Sequence, residues 1–114
     1  MINKVILVGR LTADPDAKTS AKGTQVTKVR VATNTYSGKD DEGNRREHTE
    51  FHSLVLFGRH AQVAGEYLHK GSLVYVEGRL QTNKWDDSEG KSHSVTEVIV
   101  DSFQILTSKA AAAA

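Results

Sequence analysis

Along most of the chain, apolar and polar positions alternate at every second residue, the period of a strand with one face on a core. Five strands follow from that pattern. The first covers residues 3–11 and closes at the turn Asp14-Pro15-Asp16, where proline fixes φ and removes a backbone donor. The second, residues 24–36, is rich in β-branched side chains. It sorts into Thr27, Val29, Val31 and Thr33 on one face and Lys28, Arg30, Ala32, Asn34 and Tyr36 on the other. A polar stretch with glycines at 38 and 43 predicts a long mobile loop over residues 37–46 before a third strand at 47–57. The fourth, residues 72–85, has an inner set of Val74, Val76, Gly78, Leu80 and Thr82. Its outer set is Leu73, Tyr75, Glu77, Arg79, Gln81, Asn83 and Trp85. A hairpin tip at 86–91 leads to the fifth strand, 94–106. The period becomes helical only at residues 59–70, where Ala61, Ala64 and Leu68 recur at i, i+3 and i+7 with Val63 and Tyr67 on the flank. Tyr67 is expected in the core, Lys70 in the last helical turn and Gly71 at a left-handed C-cap.

The order β-β-β-α-β-β is that of an all-β, five-stranded OB-fold Greek-key barrel with one short helix between strands three and four. At 114 residues the chain fits a single domain. That domain is assigned to residues 1–107. The low-complexity end, residues 108–114, reads as a disordered or truncated tail and is given no function.

The third strand carries the strongest functional signal. His52, Leu54 and Leu56 point one way, and Phe51, Ser53, Val55 and Phe57 the other. One set can fill a core. The other places two aromatic rings on the opposite face, with Arg59 close behind, an arrangement suited to stacking unpaired nucleic-acid bases. Burial of both faces in a sandwich or an oligomer accounts for the same pattern.

Composition narrows the alternatives. There is no cysteine, which excludes disulfides, thiolate metal sites and a cysteine nucleophile. The N-terminal apolar run is too short for a signal peptide and nothing is long enough for a membrane span, so a cytoplasmic location is expected. The net charge is only +1, but basic residues gather at 18–30 and acids at the expected loop tips, Asp40-Asp41-Glu42 and Asp86-Asp87-Ser88-Glu89. Such a layout can bind phosphates and still sum to nearly zero. The 5 histidines make no metal site. His48 and His52 share a strand face but stand roughly 13 Å apart at ~3.3 Å per residue. Nucleophile elbow, phosphate-cradling loop and paired-carboxylate signatures are all missing, so the chain is read as a non-enzyme with neither metal nor cofactor.

Several segments together resemble the DNA-binding domain of bacterial single-stranded DNA-binding proteins. They are Asn3-Lys4-Val5-Ile6-Leu7-Val8-Gly9-Arg10-Leu11 followed by Asp14-Pro15, then Thr49-Glu50-Phe51-His52 and Val55-Leu56-Phe57-Gly58. Glu66-Tyr67-Leu68 with Lys70-Gly71-Ser72, Val74-Tyr75-Val76-Glu77-Gly78, Lys84-Trp85 and Thr96-Glu97-Val98 complete the series. The resemblance implies sequence-tolerant binding of single-stranded DNA in replication, recombination and repair, by a homotetramer of OB-folds in the bacterial cytoplasm and nucleoid. By motif match the stacking aromatics fall on Phe51, Phe57 and Trp85, with a fourth on Tyr36. The expected phosphate and polar contacts are Lys4, Arg10, Lys28, Arg30, Arg59, Lys70, Arg79 and Lys84. Oligomer contacts are expected at His52, Leu73, Tyr75 and Gln104. Two departures stand out: Phe51 occupies a position where tryptophan is common, and Ser53 one where arginine is common. The family also recruits replication and repair proteins through a flexible extension with an acidic tip, which this chain lacks. An OB-fold replication-restart component and an OB-fold protein-assembly module remain the alternative readings.

Overall fold

Six strands and one helix form in the order β1 (Val5–Leu11), β2 (Asp16–Thr19), β3 (Gln25–Lys39), β4 (Arg45–Phe57), α1 (Gly58–Tyr67), β5 (Leu73–Asp86) and β6 (Ser92–Ile105). They are seen in a computed structural model that describes residues 1–107; the expected tail at 108–114 lies outside the described residues. The sheet order is β1-β5-β6-β4-β3-β2, and an additional β1–β3 pairing closes β1, β5, β6, β4 and β3 into a barrel with β2 appended at the edge. All pairings are antiparallel except the short parallel contact of β4 with β6, at Leu54 with Val98 and Val55 with Ile99. This is the all-β OB-type barrel that the alternation predicts. The helix follows the third barrel strand, where it was expected.

The alternating residues meet inside. Val29 and Val31 of β3, Leu54 and Leu56 of β4, Val74 and Val76 of β5, and Val98 and Val100 of β6 form one core with Leu11. Ala61, Ala64 and Leu68 close one end of it. The buried Thr27 hydroxyl donates to the Ala61 carbonyl at 2.7 Å, which ties α1 to β3. Burial of these aliphatic side chains, at ~25 cal/mol per Å², is the principal stabilising term.

Several expectations needed correction, each for a physical reason. β2 was not anticipated: its four residues are all exposed, so they leave no alternation to read, and they are held by backbone pairing with β3 and by the contact of Ala17 with α1 at Gly65. The expected loop at 37–46 is a paired hairpin. β3 and β4 continue to Lys39 and Arg45, and Asp40 closes the tip, its Oδ1 accepting the N–H of Glu42 at 3.0 Å and of Asn44 at 2.8 Å. This arm projects beyond the core, so both its faces are polar and it reads as loop. Tyr67 is exposed rather than in the core. The helix ends at Tyr67, with Leu68 its extended C-cap, so Lys70 lies beyond the last turn, and Gly71 (φ +91°) serves a following turn in which the Ser72 N–H donates to the His69 carbonyl. In β5 only Val74, Val76 and Gly78 of the expected inner set are buried; Leu80 and Thr82 are exposed.

The last correction has its cause at Gly78. A Cβ there would lie 2.2 Å from the Ile99 carbonyl oxygen, so only glycine allows β5 and β6 to approach this closely. The register shifts between Glu77 and Gly78, and such a bulge bends the strand and increases its twist. Past the last pairing of β6 with β4, at Val98, β5 and β6 leave the barrel as a second arm. With two arms the radius of gyration is 16.4 Å, against about 13 Å for a compact chain of this length.

Candidate nucleic-acid interface

Tyr36, Phe51 and Phe57 share one face of the β3–β4 ribbon. Phe51 pairs with Ala32, Phe57 with Val26 and Glu47 with Tyr36, and directly opposed residues project to the same side. Lys28 and Arg30 stand on that face too, opposite Val55 and Ser53. The rings are about half exposed, at 56% for Tyr36, 54% for Phe51 and 46% for Phe57, so each presents a free surface to solvent. Two cations are already placed over them. The Arg30 guanidinium is 5.0 Å from the Phe51 centroid, and the Arg45 guanidinium 4.8 Å from that of Tyr36. Val55 points to the same side but is buried, because β6 pairs alongside it.

Trp85 lies on the β5–β6 arm, next to its tip, and is 49% exposed. With Lys28, Arg30, Ser53, Val95 and Glu97 it lines a groove of about 400 Å³ that also touches Asp14 and Asp16. The groove joins the arm to the ring-bearing face of β3–β4. Its electrostatics are mixed. Glu97 is buried, accepts a hydrogen bond from the Asn83 side-chain amide at 2.8 Å, and has Lys28 Nζ 3.9 Å away. That carboxylate fixes Asn83 and holds Lys28 at the groove wall.

The remaining expected cations are not gathered there. Lys4 is paired with Glu77 at 3.2 Å on the outer face of β1 and β5. The Arg10 guanidinium donates to the Gly71 carbonyl at 2.9 Å, and Arg79 pairs with Asp101 at 3.3 Å. Arg59, at the start of α1, lines a separate hollow with His60, Val63 and Phe103, away from the rings. Lys70 is exposed in the turn after the helix. Lys84 follows the alternation to the face opposite Trp85, although both border a hollow at the arm's tip. Arg59 and Lys84 are each close in the chain to a ring, Phe57 and Trp85, but the glycine turn at 58 and the strand pleat turn both aside.

Of the expected oligomer contacts, Leu73, Tyr75 and Gln104 lie on the outer face of the β1–β5–β6 sheet, with Tyr75 directly opposite Gln104. Ile6 and Val8 join them, opposite Glu77 and Tyr75, and are 58% and 50% exposed. These two were missed, although the unbroken apolar run Val5-Ile6-Leu7-Val8 signals a strand with two apolar faces. On the same face the Tyr75 hydroxyl donates to Glu77. That bond, followed by Lys4, lowers the Glu77 carboxyl below its ordinary range, and it raises the Tyr75 hydroxyl. His52 stands apart, half-buried on the inward side of β4 and hydrogen-bonded to the Thr33 hydroxyl at 2.8 Å. His48 binds Glu50 at 2.7 Å, and no metal-ligating cluster occurs among the described residues. No helix of the described residues is long and apolar enough to cross a membrane.

Paired aromatic rings and cations on one sheet face of a small barrel match a known pattern. The sequence pattern of the single-strand binding protein family covers residues 2–106. The chain belongs to that family. Among solved structures it is similar to a deletion mutant of the single-stranded DNA binding protein from Thermus aquaticus, with 33% identity and a TM-score of 0.79 over 93% of this chain. It spans 51% of that protein's length. It is also similar to the Plasmodium falciparum SSB in complex with single-stranded DNA, with 28% identity, a TM-score of 0.84, and coverage of 94% of this chain and 97% of that one.

Proposed function

We propose that this member of the single-strand binding protein family binds and protects single-stranded DNA with little sequence preference. The observation that carries the reading is the shared face of Tyr36, Phe51 and Phe57 beside Lys28 and Arg30, continued by the groove to Trp85. Bases stack on the four rings, each contact worth ~1–3 kcal/mol, and stacking tolerates any base because every base has a π-face. Lys28 and Arg30 neutralise phosphates, and the arms carrying Arg45 and Lys84 lengthen the track. Duplex DNA binds poorly, since its bases already stack on one another. The work is done by binding rather than catalysis, in the cytoplasm, wherever replication, recombination or repair exposes a strand. The domain responsible is residues 1–107.

The chain assembles, in this reading, as a homotetramer through the outer face of β1, β5 and β6. Support comes from Ile6, Val8, Leu73 and Tyr75 on that face, and from residues 5–9 of β1, whose second edge has no strand partner among the described residues. Such an edge is open to pairing with another copy. Sedimentation mass tests this: Val8→Glu places a charge on the face and should lower the mass.

Titrating the fluorescence of Trp85, the only tryptophan, with oligo(dT) tests the binding. Quenching that weakens as salt rises is expected. Failure to bind oligo(dT) by any assay refutes the proposal, and tight binding without quenching removes Trp85 from the track.

A further inference from the structure

Trp85 does not stand alone on its arm. Its cross-strand partner is His93, and the two rings are stacked, with centroids 5.6 Å apart and planes 23° from parallel. His93 is anchored in turn: its Nε2 hydrogen-bonds Asp87 Oδ2 at 2.8 Å. Asp87 is fixed by the turn it closes, its Oδ1 accepting the N–H groups of Glu89 and Lys91, each at 2.9 Å. The His93 bond is the largest cause, ahead of these backbone bonds, of an Asp87 carboxyl lowered from its ordinary range, with desolvation opposing. Turn, carboxylate, imidazole and indole thus form a chain of contacts that ends on the ring.

We propose that His93 is a positioning residue for Trp85: held by Asp87, it covers one face of the indole, leaves the other for a single base, and when protonated adds a cation beside that base. The inference rests on the single-strand reading of the groove. An exposed aromatic side chain loses rotamer freedom on binding, and ordering it beforehand reduces that cost. A protonated imidazole also strengthens the stack, because a cation is attracted to the indole face. Histidine is the side chain whose charge ordinarily changes between pH 5 and 8. The charged groups around the pair are Asp87, bonded to His93, Asp86 and Lys84, which border the hollow at the arm's tip, and Glu97 on β6. Across the groove lie Lys28 and Arg30 of β3, Asp16 of β2 and Asp14 before it.

The test compares wild type with His93→Phe, which keeps a ring but neither charge nor hydrogen bond, and with His93→Ala, which removes the cover. Trp85 emission is followed from pH 8.5 to 5.5 without DNA, and the Kd for labelled oligo(dT) is measured at both limits. The other histidines, His48, His52, His60 and His69, are common to all three proteins and cancel. Wild-type emission should fall on acidification, since imidazolium quenches indole, while the emission of His93→Phe stays level. Wild-type binding should tighten about threefold more than that of His93→Phe over the same range, the scale of one exposed charge. His93→Ala should bind about fivefold more weakly at both limits, and His93→Phe should restore the affinity at pH 8.5. An emission profile shared by wild type and His93→Phe overturns the anchored stack. Equal pH dependence of binding in those two overturns the role of the charge, and wild-type affinity in His93→Ala overturns positioning. Emission that titrates in a wild-type protein unable to bind oligo(dT) defeats the single-strand reading, while the ring pair itself stands.

Discussion

Replacing Phe51 with alanine separates binding from folding in one residue. The ring is 54% exposed, with the Arg30 guanidinium 5.0 Å from its centroid. Full burial of a phenylalanine is worth ~1.5–3 kcal/mol, so a half-exposed ring contributes about half of that. The exposed cation–π contact adds ~0.5–1 kcal/mol. Phe51→Ala should therefore cost the fold about 1.3–2.5 kcal/mol, at or below the low end of the ~2–5 kcal/mol expected for Leu54→Ala in the core. Loss of one stacked base costs ~1–3 kcal/mol of binding, roughly a 5- to 150-fold weaker Kd. Anisotropy of labelled oligo(dT) at fixed salt, with thermal unfolding in parallel, measures both. Phe51→Leu keeps apolar bulk without a π-face and should behave like alanine, whereas Phe51→Trp should tighten binding. The salt slope should not change, because the ring neutralises no phosphate. Unchanged affinity in Phe51→Ala together with a loss of more than about 3 kcal/mol of stability would refute the reasoning and make the ring a packing residue.

Other predictions concern charge, packing and pH. Lys28→Gln and Arg30→Gln should each flatten the log Kd against log salt plot by about 0.7, the contribution of one phosphate on a single strand. Unchanged slopes would place the strand elsewhere. Gly78→Ala drives a Cβ against the Ile99 carbonyl and should destabilise the barrel by at least ~1–3 kcal/mol, visible as a lowered Tm. A Tm equal to wild type would mean the β5–β6 bulge relaxes freely. Glu77 has a folded pKa below its ordinary value through Tyr75 and then Lys4, so its contribution is fully present above the ordinary carboxylate range. That contribution is lost as pH falls through the lowered value. Glu77→Gln should flatten the acid limb of Tm against pH, and an unaltered limb would show that the outer-face network does not stabilise the fold.

What the sequence determined by itself was most of what is tied to a core, Tyr67 and Leu80 being the exceptions. Strand period needs one face buried and one wet, and residues such as Val29, Val31, Leu54, Leu56, Val74 and Val76 met that condition, so the barrel strands, their faces and the helix between them were legible. The shared face of Tyr36, Phe51 and Phe57 was legible too, because alternation fixes facing once the strands are known. Period vanishes where no core is present. β2 and the β3–β4 arm were therefore invisible as strands, and Leu80 was placed inside although it is exposed at the point where β5 and β6 begin to leave the barrel. The bend at Gly78 decided which surface each outer residue of β5 serves: Tyr75 faces Gln104 on the barrel, while Trp85 reaches Lys28, Arg30 and Glu97 across the groove. One alternating set thus divides between two surfaces. Only the tertiary structure sets that division, because a bulge depends on the close approach of two distant backbones, and the glycine at 78 marks such a place without saying which way the strands turn.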